Sequence, residues 1–462
     1  MSHLEGETAC MDQLLAAQRR YFNSGATRPL AFRRRMLARL EDGLRRWEGR
    51  LLAALKADLN KQPAEGYMSE LALSAGEARY ARRHLGRWAR PSRGVGPVTQ
   101  FPSTISAYPE PLGTALIIAP WNYPFFLTLA PLVSAMAAGC TAVVKPSEDA
   151  PACSHALAQM LGELFPPEYV AVAEGDRGVA EALLEQSFDT IFFTGSPAVG
   201  KLVMAAAARR LIPVTLELGG KSPVILAPDA DVELAAARVA WGKFLNAGQT
   251  CVAPDHVWVP EGMADRFVDA LARQITRFYG PEPLAGEELP RIVNRRHFDR
   301  LVDWMKGGTV VIGGQTDPER LRIAPTVLVE PAEGSPLVEE EIFGPLLPVL
   351  PYRSLPELLD EQRQKPRPLA LYLFTRSRET ERAVLGGLTY GGGCVNDTIV
   401  HLTDPRLPFG GVGNSGMGAC HGKAGFDAFT HWKSVLKKGR LDLPLRYPPY
   451  GEDKLRKLKK FM

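Results

Sequence analysis

A strand, a turn and a helix follow one another at Thr190-Ile191-Phe192-Phe193-Thr194-Gly195-Ser196-Pro197-Ala198-Val199-Gly200. The apolar run at 190–193 predicts a strand that is buried on both faces. Glycine, serine and proline then predict a tight turn, and residues 199–209 predict a helix. A strand followed at once by a helix is the repeating unit of a parallel α/β sheet.

The same alternation extends to both sides of this unit. Predicted strands lie at 114–119, 142–145, 170–172 and 213–218, with predicted helices at 127–138, 154–164 and 179–186. Because the strands are near-continuous apolar runs, the pattern predicts a doubly wound parallel sheet, whose ligands bind at the carboxyl ends of the strands. A second alternating block predicts a second α/β unit, with strands at 222–226, 256–259, 323–329, 347–349 and 370–374.

Two segments before this sheet have other patterns. Residues 31–59 place leucines and a tryptophan at steps of three and four. This stripe predicts an amphipathic helix, or a pair of helices broken at Gly43 and Gly49. Residues 104–108 alternate polar and apolar side chains, which predicts an edge strand.

Composition indicates an ordinary globular protein. The chain has 462 residues, 45% hydrophobic and 23% charged, and its net charge of +4 is no nucleic-acid signature. Its six cysteines form no C-x-x-C pair and its eight histidines have no ligand spacing, so we expect a reducing, cytoplasmic location and no metal site. The uncharged stretch at 113–144 is interrupted by prolines, which favours buried strands and a helix over a membrane span. In the basic tail at 441–462, a solvated terminus is favoured over membrane contact.

Cys251 and Glu217 are the first candidates for chemistry. Cys251 ends the stretch Gly248-Gln249-Thr250-Cys251. A thiol is a strong nucleophile once ionised, but it needs a base, a helix end or a cation to lower its pKa. A glutamate beside it could take the thiol proton or activate water. A buried inert cysteine is the alternative, and we assign it to the other five cysteines.

A second group of candidates suits a nucleotide. The turn at 194–196 precedes a helix whose free N–H groups and positive dipole end suit a pyrophosphate, although a plain glycine turn remains open. The stretch also approaches a phosphate-binding P-loop, but Leu202 stands where magnesium binding needs a hydroxyl. Lys145 and Glu148 follow a predicted strand and could grip ribose hydroxyls, the acid favouring a 2′-hydroxyl over a 2′-phosphate.

Two more segments have both a chemical and a structural interpretation. Asn122 lies between Pro120 and Pro124, where its amide could donate to a developing oxyanion or satisfy the backbone of its own turn. Glu339-Glu340-Glu341 precedes Phe343, and these acids could form a solvated helical turn or supply a ribose contact.

Taken together, these motifs resemble the NAD(P)-dependent aldehyde dehydrogenase superfamily. Matching segments occur in family order over almost the whole chain, at 120–124, 145–148, 193–200, 216–221, 248–251, 341–345 and 408–416. The amino acids within these segments are most similar to those of the class 3 branch, as in Trp121-Asn122-Tyr123-Pro124 and His421-Gly422-Lys423. Pro120 and His256 differ from the residues common in that branch, and the resemblance implies no role in the reaction for either.

The resemblance implies a role for each matching residue. Cys251 would attack an aldehyde, Asn122 and the Cys251 N–H would hold the oxyanion, and Glu217 would activate the water that releases the acid. Whether Glu341 shares the role of the base stays open. The implied cofactor-binding residues are Trp121, Lys145, Glu148, Thr194, Gly195, Ser196, Val199, Gly200, Leu218, Glu341 and Phe343. Tyr123 and Phe409 are the implied substrate-binding residues.

The resemblance also implies the partners and the domain division. We expect oxidation of a medium- or long-chain aliphatic or an aromatic aldehyde with NAD, NADP remaining open, in a homodimer, with a tetramer not excluded. The expected division is a Rossmann-like NAD(P)-binding domain at 1–95 and 113–219, a catalytic α/β domain at 220–410, a small β oligomerisation extension at 96–112 and 411–440, and the tail. A coenzyme-A-acylating enzyme would not need Glu217, and a silent binding protein would not need Cys251.

Overall fold

The computed structural model describes residues 2–442 and 446–461, in which helices cover both faces of two large sheets. The helices are α1 (Ser2–Asn23), α2 (Leu30–Leu59), α3 (Pro63–Gly66), α4 (Ala72–Trp88), α5 (Phe126–Ala138), α6 (Pro151–Leu164), α7 (Arg177–Leu184), α8 (Pro197–Ala208), α9 (Val232–Phe244), α10 (Ala264–Tyr279), α11 (Arg295–Trp304), α12 (Pro336–Glu339), α13 (Leu355–Gln364), α14 (Arg378–Gly387), α15 (Gly422–Ala428) and α16 (Glu452–Phe461).

The strands alternate with these helices through most of the chain. They are β1 (Ser92–Val95), β2 (Ser103–Pro111), β3 (Thr114–Ile118), β4 (Thr141–Lys145), β5 (Val170–Val172), β6 (Thr190–Thr194), β7 (Val214–Glu217), β8 (Pro223–Leu226), β9 (His256–Pro260), β10 (Thr309–Ile312), β11 (Thr316–Asp317), β12 (Arg322–Ile323), β13 (Thr326–Val329), β14 (Leu346–Tyr352), β15 (Ala370–Phe374), β16 (Gly392–Val395), β17 (Gly416–Met417) and β18 (Thr430–Lys438).

The first large sheet has the strand order β17-β7-β6-β3-β4-β5. Strands β3 to β7 run parallel, and the short β17 closes one edge antiparallel to β7. Side chains along β3, β4 and β6 are almost all buried, as expected for strands that helices cover on both faces. The predicted doubly wound sheet is confirmed, and the uncharged stretch at 113–144 folds as β3, α5 and β4.

The second large sheet has the order β10-β13-β14-β9-β8-β15-β16 and is parallel except for β10. The continuous strand predicted at 323–329 is wrong. Two separate strands occupy this range, with β12 pairing with β11 and β13 lying in the large sheet. Pro325 stands between them and has no N–H to donate to a ladder, which ends the first strand.

A third sheet has the order β1-β2-β18. The prediction that 104–108 forms an edge strand is wrong, because β2 pairs with β1 on one side and with all of β18 on the other. Alternation of polar and apolar residues reports that one face of a strand meets solvent and does not report its place in the sheet. From the range 411–440, β17 and α15 pack against the first large sheet and α5, and β18 lies in this third sheet.

Helix α2 is continuous through both glycines, so the alternative of a broken pair is not adopted. Gly43 is buried against α6, where an added Cβ would lie 2.3 Å from Leu164 Cδ1. Gly49 faces open space. The helix is held by the packing of its apolar stripe on α4 and α6, which overrides the low helix propensity of glycine.

Within residues 2–442 and 446–461, no helix combines the length and apolar character that crossing a bilayer requires. In the same residues, no group of three or more His, Cys, Asp and Glu side chains is arranged to hold a metal ion.

Candidate active site

A cavity of about 1030 Å³ lies between the two large sheets. The turns after β3, β6 and β7 border it from one side, and the segment after α9 borders it from the other. Of the residues singled out from the sequence, those that line it are Trp121, Asn122, Tyr123, Thr194, Gly195, Ser196, Val199, Glu217, Leu218, Cys251, Glu341, Phe343 and Phe409. Lys145, Glu148 and Gly200 lie outside the lining.

A run of left-handed backbone positions Cys251. Asn246, Ala247 and Gly248 have φ of 52°, 53° and 72°. At Gly248 an added Cβ would lie 2.3 Å from the Gly344 carbonyl oxygen, so glycine is required here by both conformation and space. The run turns the chain out of α9 and presents Cys251 at the cavity wall.

Buried amides hold this run rigid. The Gln249 side chain donates to Asn246 O and Arg291 O, each at 3.1 Å, and its Oε1 accepts from Val293 N at 3.0 Å. The Asn246 N–H donates to Glu65 Oε1 at 2.8 Å. These bonds anchor the cysteine-bearing segment to elements on both sides of it.

The Cys251 thiol is predominantly protonated in this environment. Burial raises its pKa to about 12, and the neighbouring carboxyls of Glu341 and Glu217 push the pKa in the same direction. Ionisation therefore requires a proton acceptor nearby or a positive charge in the cavity.

Two buried carboxyl groups face the same cavity. Glu217 ends β7, and the polar group beside its buried carboxyl is the Cys420 thiol. Burial raises the Glu217 pKa well above its usual range, and the neighbouring Cys420 thiol opposes that shift. Burial, and then the charge of Asp255, raise the Glu341 pKa to about 8. Carboxyls with raised pKa beside a thiol are typical of a catalytic site.

Asn122 is buried beside the cysteine-bearing segment. Its Nδ2 donates to Gln249 O at 3.0 Å, which uses one of the two N–H groups of the amide. Its backbone oxygen accepts from Lys61 Nζ and from Asn246 Nδ2, each at 2.8 Å. Tyr123 follows, and its hydroxyl lies 2.6 Å from Thr250 Oγ1, next to Cys251.

The turn after β6 leads directly into helix α8. Ser196 caps α8, its Oγ accepting from Val199 N at 3.4 Å. Close packing explains the glycine at position 200, since an added Cβ would lie 2.6 Å from Leu218 Cδ2. Near the end of β4, Lys145 Nζ donates to Glu148 Oε2 at 3.1 Å.

A buried ion pair that the sequence reasoning missed supports Glu341. Lys221 Nζ donates to Asp255 Oδ1, to Leu337 O at 2.6 Å and to Glu340 O at 3.0 Å. Asp255 Oδ2 accepts from Ile342 N at 2.9 Å. The pair thereby fixes the segment that carries Glu341. Lys221 ends the matching segment 216–221, and Asp255 directly precedes the strand predicted at 256–259. The available signal was a charge beside an otherwise apolar strand.

The sequence reasoning named Phe409 but assigned no role to the two histidine rings that stack on it. Phe409 lies between His401 and His421, with ring centroids 6.1 and 5.3 Å away. Burial lowers the pKa of both histidines to about 4, so the stack is uncharged at neutral pH. Further apolar side chains line the cavity beyond it, namely Met68, Leu73, Leu127, Trp241, Leu245, Ile399 and Leu402.

Comparison with known proteins identifies the family to which this chain belongs. The model of the aldehyde dehydrogenase family matches residues 3–435. A 4,4'-diaponeurosporen-aldehyde dehydrogenase of Staphylococcus aureus is 42% identical over 95% of this chain and 96% of its own length. Human aldehyde dehydrogenase family 3 member B1 is 45% identical over 95% of each chain.

Solved structures show the same fold. A substrate-bound Staphylococcus aureus enzyme, AldH, superposes with a TM-score of 0.95 at 41% identity, covering 98% of this chain and 99% of its own. A Mycobacterium tuberculosis aldehyde dehydrogenase in complex with NAD+ superposes with a TM-score of 0.85 at 28% identity, covering 94% and 92% of the two chains.

The raised thiol pKa predicts the pH dependence of alkylation at Cys251. In cofactor-free protein, the rate with iodoacetamide should rise about tenfold per pH unit from about pH 7 to about pH 9, because the thiolate fraction grows in that proportion below the pKa. Glu341→Gln should accelerate alkylation above about pH 8, where the wild-type carboxylate is charged and holds the thiol pKa up. Peptide mass spectrometry measures the rate at Cys251 alone.

Glu357→Gln, which changes an exposed carboxyl on α13, is the matched control and should leave the rate unchanged. An alkylation rate that levels off near neutral pH would contradict the raised pKa.

Proposed function

The chain belongs to the aldehyde dehydrogenase family and is an NAD(P)-dependent oxidoreductase of aldehydes, and we propose that it converts apolar aldehydes to carboxylic acids through a covalent intermediate on Cys251. The observation that carries the proposal is the placement of the Cys251 thiol, the Asn122 amide and the buried carboxyls of Glu217 and Glu341 around the same cavity. Each group has the chemistry that one step of such a reaction requires.

The cavity fits a dinucleotide. Glu341 Oε1 is buried with no partner among the described residues, which suits a ribose hydroxyl, and the capped start of α8 suits a pyrophosphate. We assign the cofactor contacts to Trp121, Thr194, Gly195, Ser196, Val199, Leu218, Glu341 and Phe343 of the lining, with Lys145, Glu148 and Gly200 beyond it. Bound NAD(P) supplies the acceptor for a hydride. The acid of the Lys145–Glu148 pair favours NAD, and NADP is the alternative.

Cys251 is the nucleophile of the proposed reaction. Its Sγ forms a bond to the carbonyl carbon of the aldehyde, and the thiol proton passes to a carboxylate of raised pKa beside it. The carbonyl oxygen, now negatively charged, accepts hydrogen bonds from the Asn122 amide and the Cys251 N–H. Loss of a hydride from this adduct leaves a thioester on Cys251.

Glu217 is the base of the second half of the reaction. In its ionised form it takes a proton from a water molecule, whose oxygen attacks the thioester carbon. The carbon–sulfur bond breaks, the carboxylic acid leaves, and the Cys251 thiolate takes back a proton from a neighbouring carboxyl. Glu341, whose pKa is about 8, is the alternative base. Its carboxyl packs closely on the backbone of Gly219, where an added Cβ would lie 1.9 Å from Glu341 Oε2, and this leaves it less room to approach a water molecule.

The substrate class follows from the rest of the lining. The uncharged ring stack and the apolar side chains beyond it favour aliphatic or aromatic aldehydes. Burial of each further methylene group is worth about 0.8 kcal/mol, so longer aliphatic chains should bind better.

An aldehyde series tests this function directly. With NAD+, kcat/KM should be at least about tenfold higher for decanal than for acetaldehyde, because more apolar surface is buried. Nicotinamide absorbance reports turnover. Added coenzyme A should have no effect, and Cys251→Ala should abolish turnover. Full activity of Cys251→Ala would end the covalent proposal, and a requirement for coenzyme A would replace hydrolysis by acylation of that thiol.

We also propose a homodimer formed through the third sheet. Apolar side chains on and near its strands are exposed in the single chain, namely Val95, Val98, Phe101, Ile105, Val435 and Leu436. Within the described residues β18 pairs with β2 alone, so its outer edge is available for pairing with another chain. Sedimentation velocity at micromolar concentration should show twice the 50.5 kDa chain mass, and a monomer alone would refute the dimer.

A further inference from the structure

We propose that Lys61 and Glu70 are positioning residues for the reaction, a buried ion pair that holds the backbone of Asn122 so that its amide meets the oxyanion. This inference rests on the role proposed above for Asn122. Neither residue belongs to the motifs that the sequence reasoning singled out.

The pair is isolated from water. Lys61 Nζ lies 2.7 Å from Glu70 Oε1, and both side chains have 0% exposure. Removing two charges from water costs several kcal/mol for each ion, and a well-packed apolar pair would often be as stable. A buried pair of this kind therefore calls for an explanation beyond stability, and its remaining contacts supply one.

Lys61 acts on the peptide of Asn122. Its Nζ donates to Asn122 O at 2.8 Å and lies 4.0 Å from the centroid of the Tyr123 ring. Asn246 Nδ2 donates to the same oxygen at 2.8 Å. Lys61 itself does not line the cavity, so it acts on the reaction through Asn122 and not by touching a substrate.

Glu70 acts on the other end of the same segment. Its Oε2 accepts from Phe125 N at 2.8 Å and from Phe126 N at 3.4 Å. These are N–H groups at the start of α5, a helix without a side-chain cap of its own. A carboxylate there satisfies free donors and complements the helix dipole. The pair thus clamps residues 122–126 at both ends.

The clamp determines where the Asn122 amide lies. The Asn122 side chain is attached to the peptide that Lys61 holds. Its Nδ2 donates to Gln249 O in the cysteine-bearing segment at 3.0 Å. A displacement of about 1 Å at a catalytic group can cost about 100-fold in rate. Loss of the clamp should therefore lower turnover through Asn122. The cofactor contacts other than Trp121 lie on other elements and should be unchanged.

A double-mutant cycle between Lys61→Met and Asn122→Ala tests the inference. With saturating NAD+ and decanal, Asn122→Ala should lower kcat about 10²–10³-fold, and Lys61→Met about 10–100-fold. If Lys61 acts through Asn122, the double variant should lie within about threefold of Asn122→Ala alone, because the positioned amide is already gone. NADH affinity, measured by fluorescence, should stay within about threefold of wild type in all variants.

Arg33→Met is the matched control. Arg33 is also a buried cation, and its Nη1 donates to Ala137 O at 3.2 Å, at the opposite end of α5. This variant should lower the thermal midpoint to a similar extent as Lys61→Met while kcat stays within about twofold of wild type. Glu70→Gln gives a second route should Lys61→Met not fold, since it keeps an acceptor for Phe125 N and removes the charge that anchors Lys61. It should show the same dependence on Asn122.

Losses that multiply fully in the double variant would overturn the inference, as would a kcat for Lys61→Met within twofold of wild type. An equal loss of kcat in Arg33→Met would do the same, because it would reduce the effect to general destabilisation of α5. Failure of the proposed function is read separately, from an undiminished kcat in Asn122→Ala alone.

Discussion

Exclusion of water from the cavity around Cys251 is the constraint on which the rest of the site depends. Burial is the largest cause of the raised pKa of the thiol and of both carboxyls that face it. Burial therefore keeps the thiol protonated at neutral pH and disfavours the charged form of the Glu217 carboxyl. Each proton transfer of the proposed reaction requires the ionised form of a carboxyl in the same cavity.

The fold supplies that enclosed space by placing two parallel sheets on either side of it. Strand ends of the first sheet carry Asn122 and Glu217, and the left-handed turn after α9 carries Cys251. Buried hydrogen bonds join the two sides, because Asn246 Nδ2 donates to Asn122 O and Asn122 Nδ2 donates to Gln249 O. A buried polar group that loses its hydrogen-bond partner costs free energy, so the arrangement of the site depends on the packing of the whole core.

The sequence predicted the first sheet well because burial on both faces leaves a continuous apolar run in each strand. Places where tertiary contacts decide were predicted poorly. Gly43 suggests a helix break, but the helix is continuous there because Leu164 packs against the glycine. Residues 104–108 have the pattern of an edge strand, yet β18 pairs with all of them. At the site, the motifs named the groups that face the cavity. They gave no sign of Lys61 or Glu70, because a charge in sequence carries no record of its burial. The charges of Lys221 and Asp255 stand beside apolar strands, but nothing in the sequence pairs them.

Mass spectrometry of the protein quenched during turnover tests the central claim most directly, with Glu217→Gln used to slow hydrolysis. After mixing with decanal and NAD+ and quenching in acid, the account predicts a decanoyl group on the peptide that contains Cys251, at higher occupancy in Glu217→Gln than in wild type. Formation of NADH with no acyl group on that peptide in either protein would contradict it.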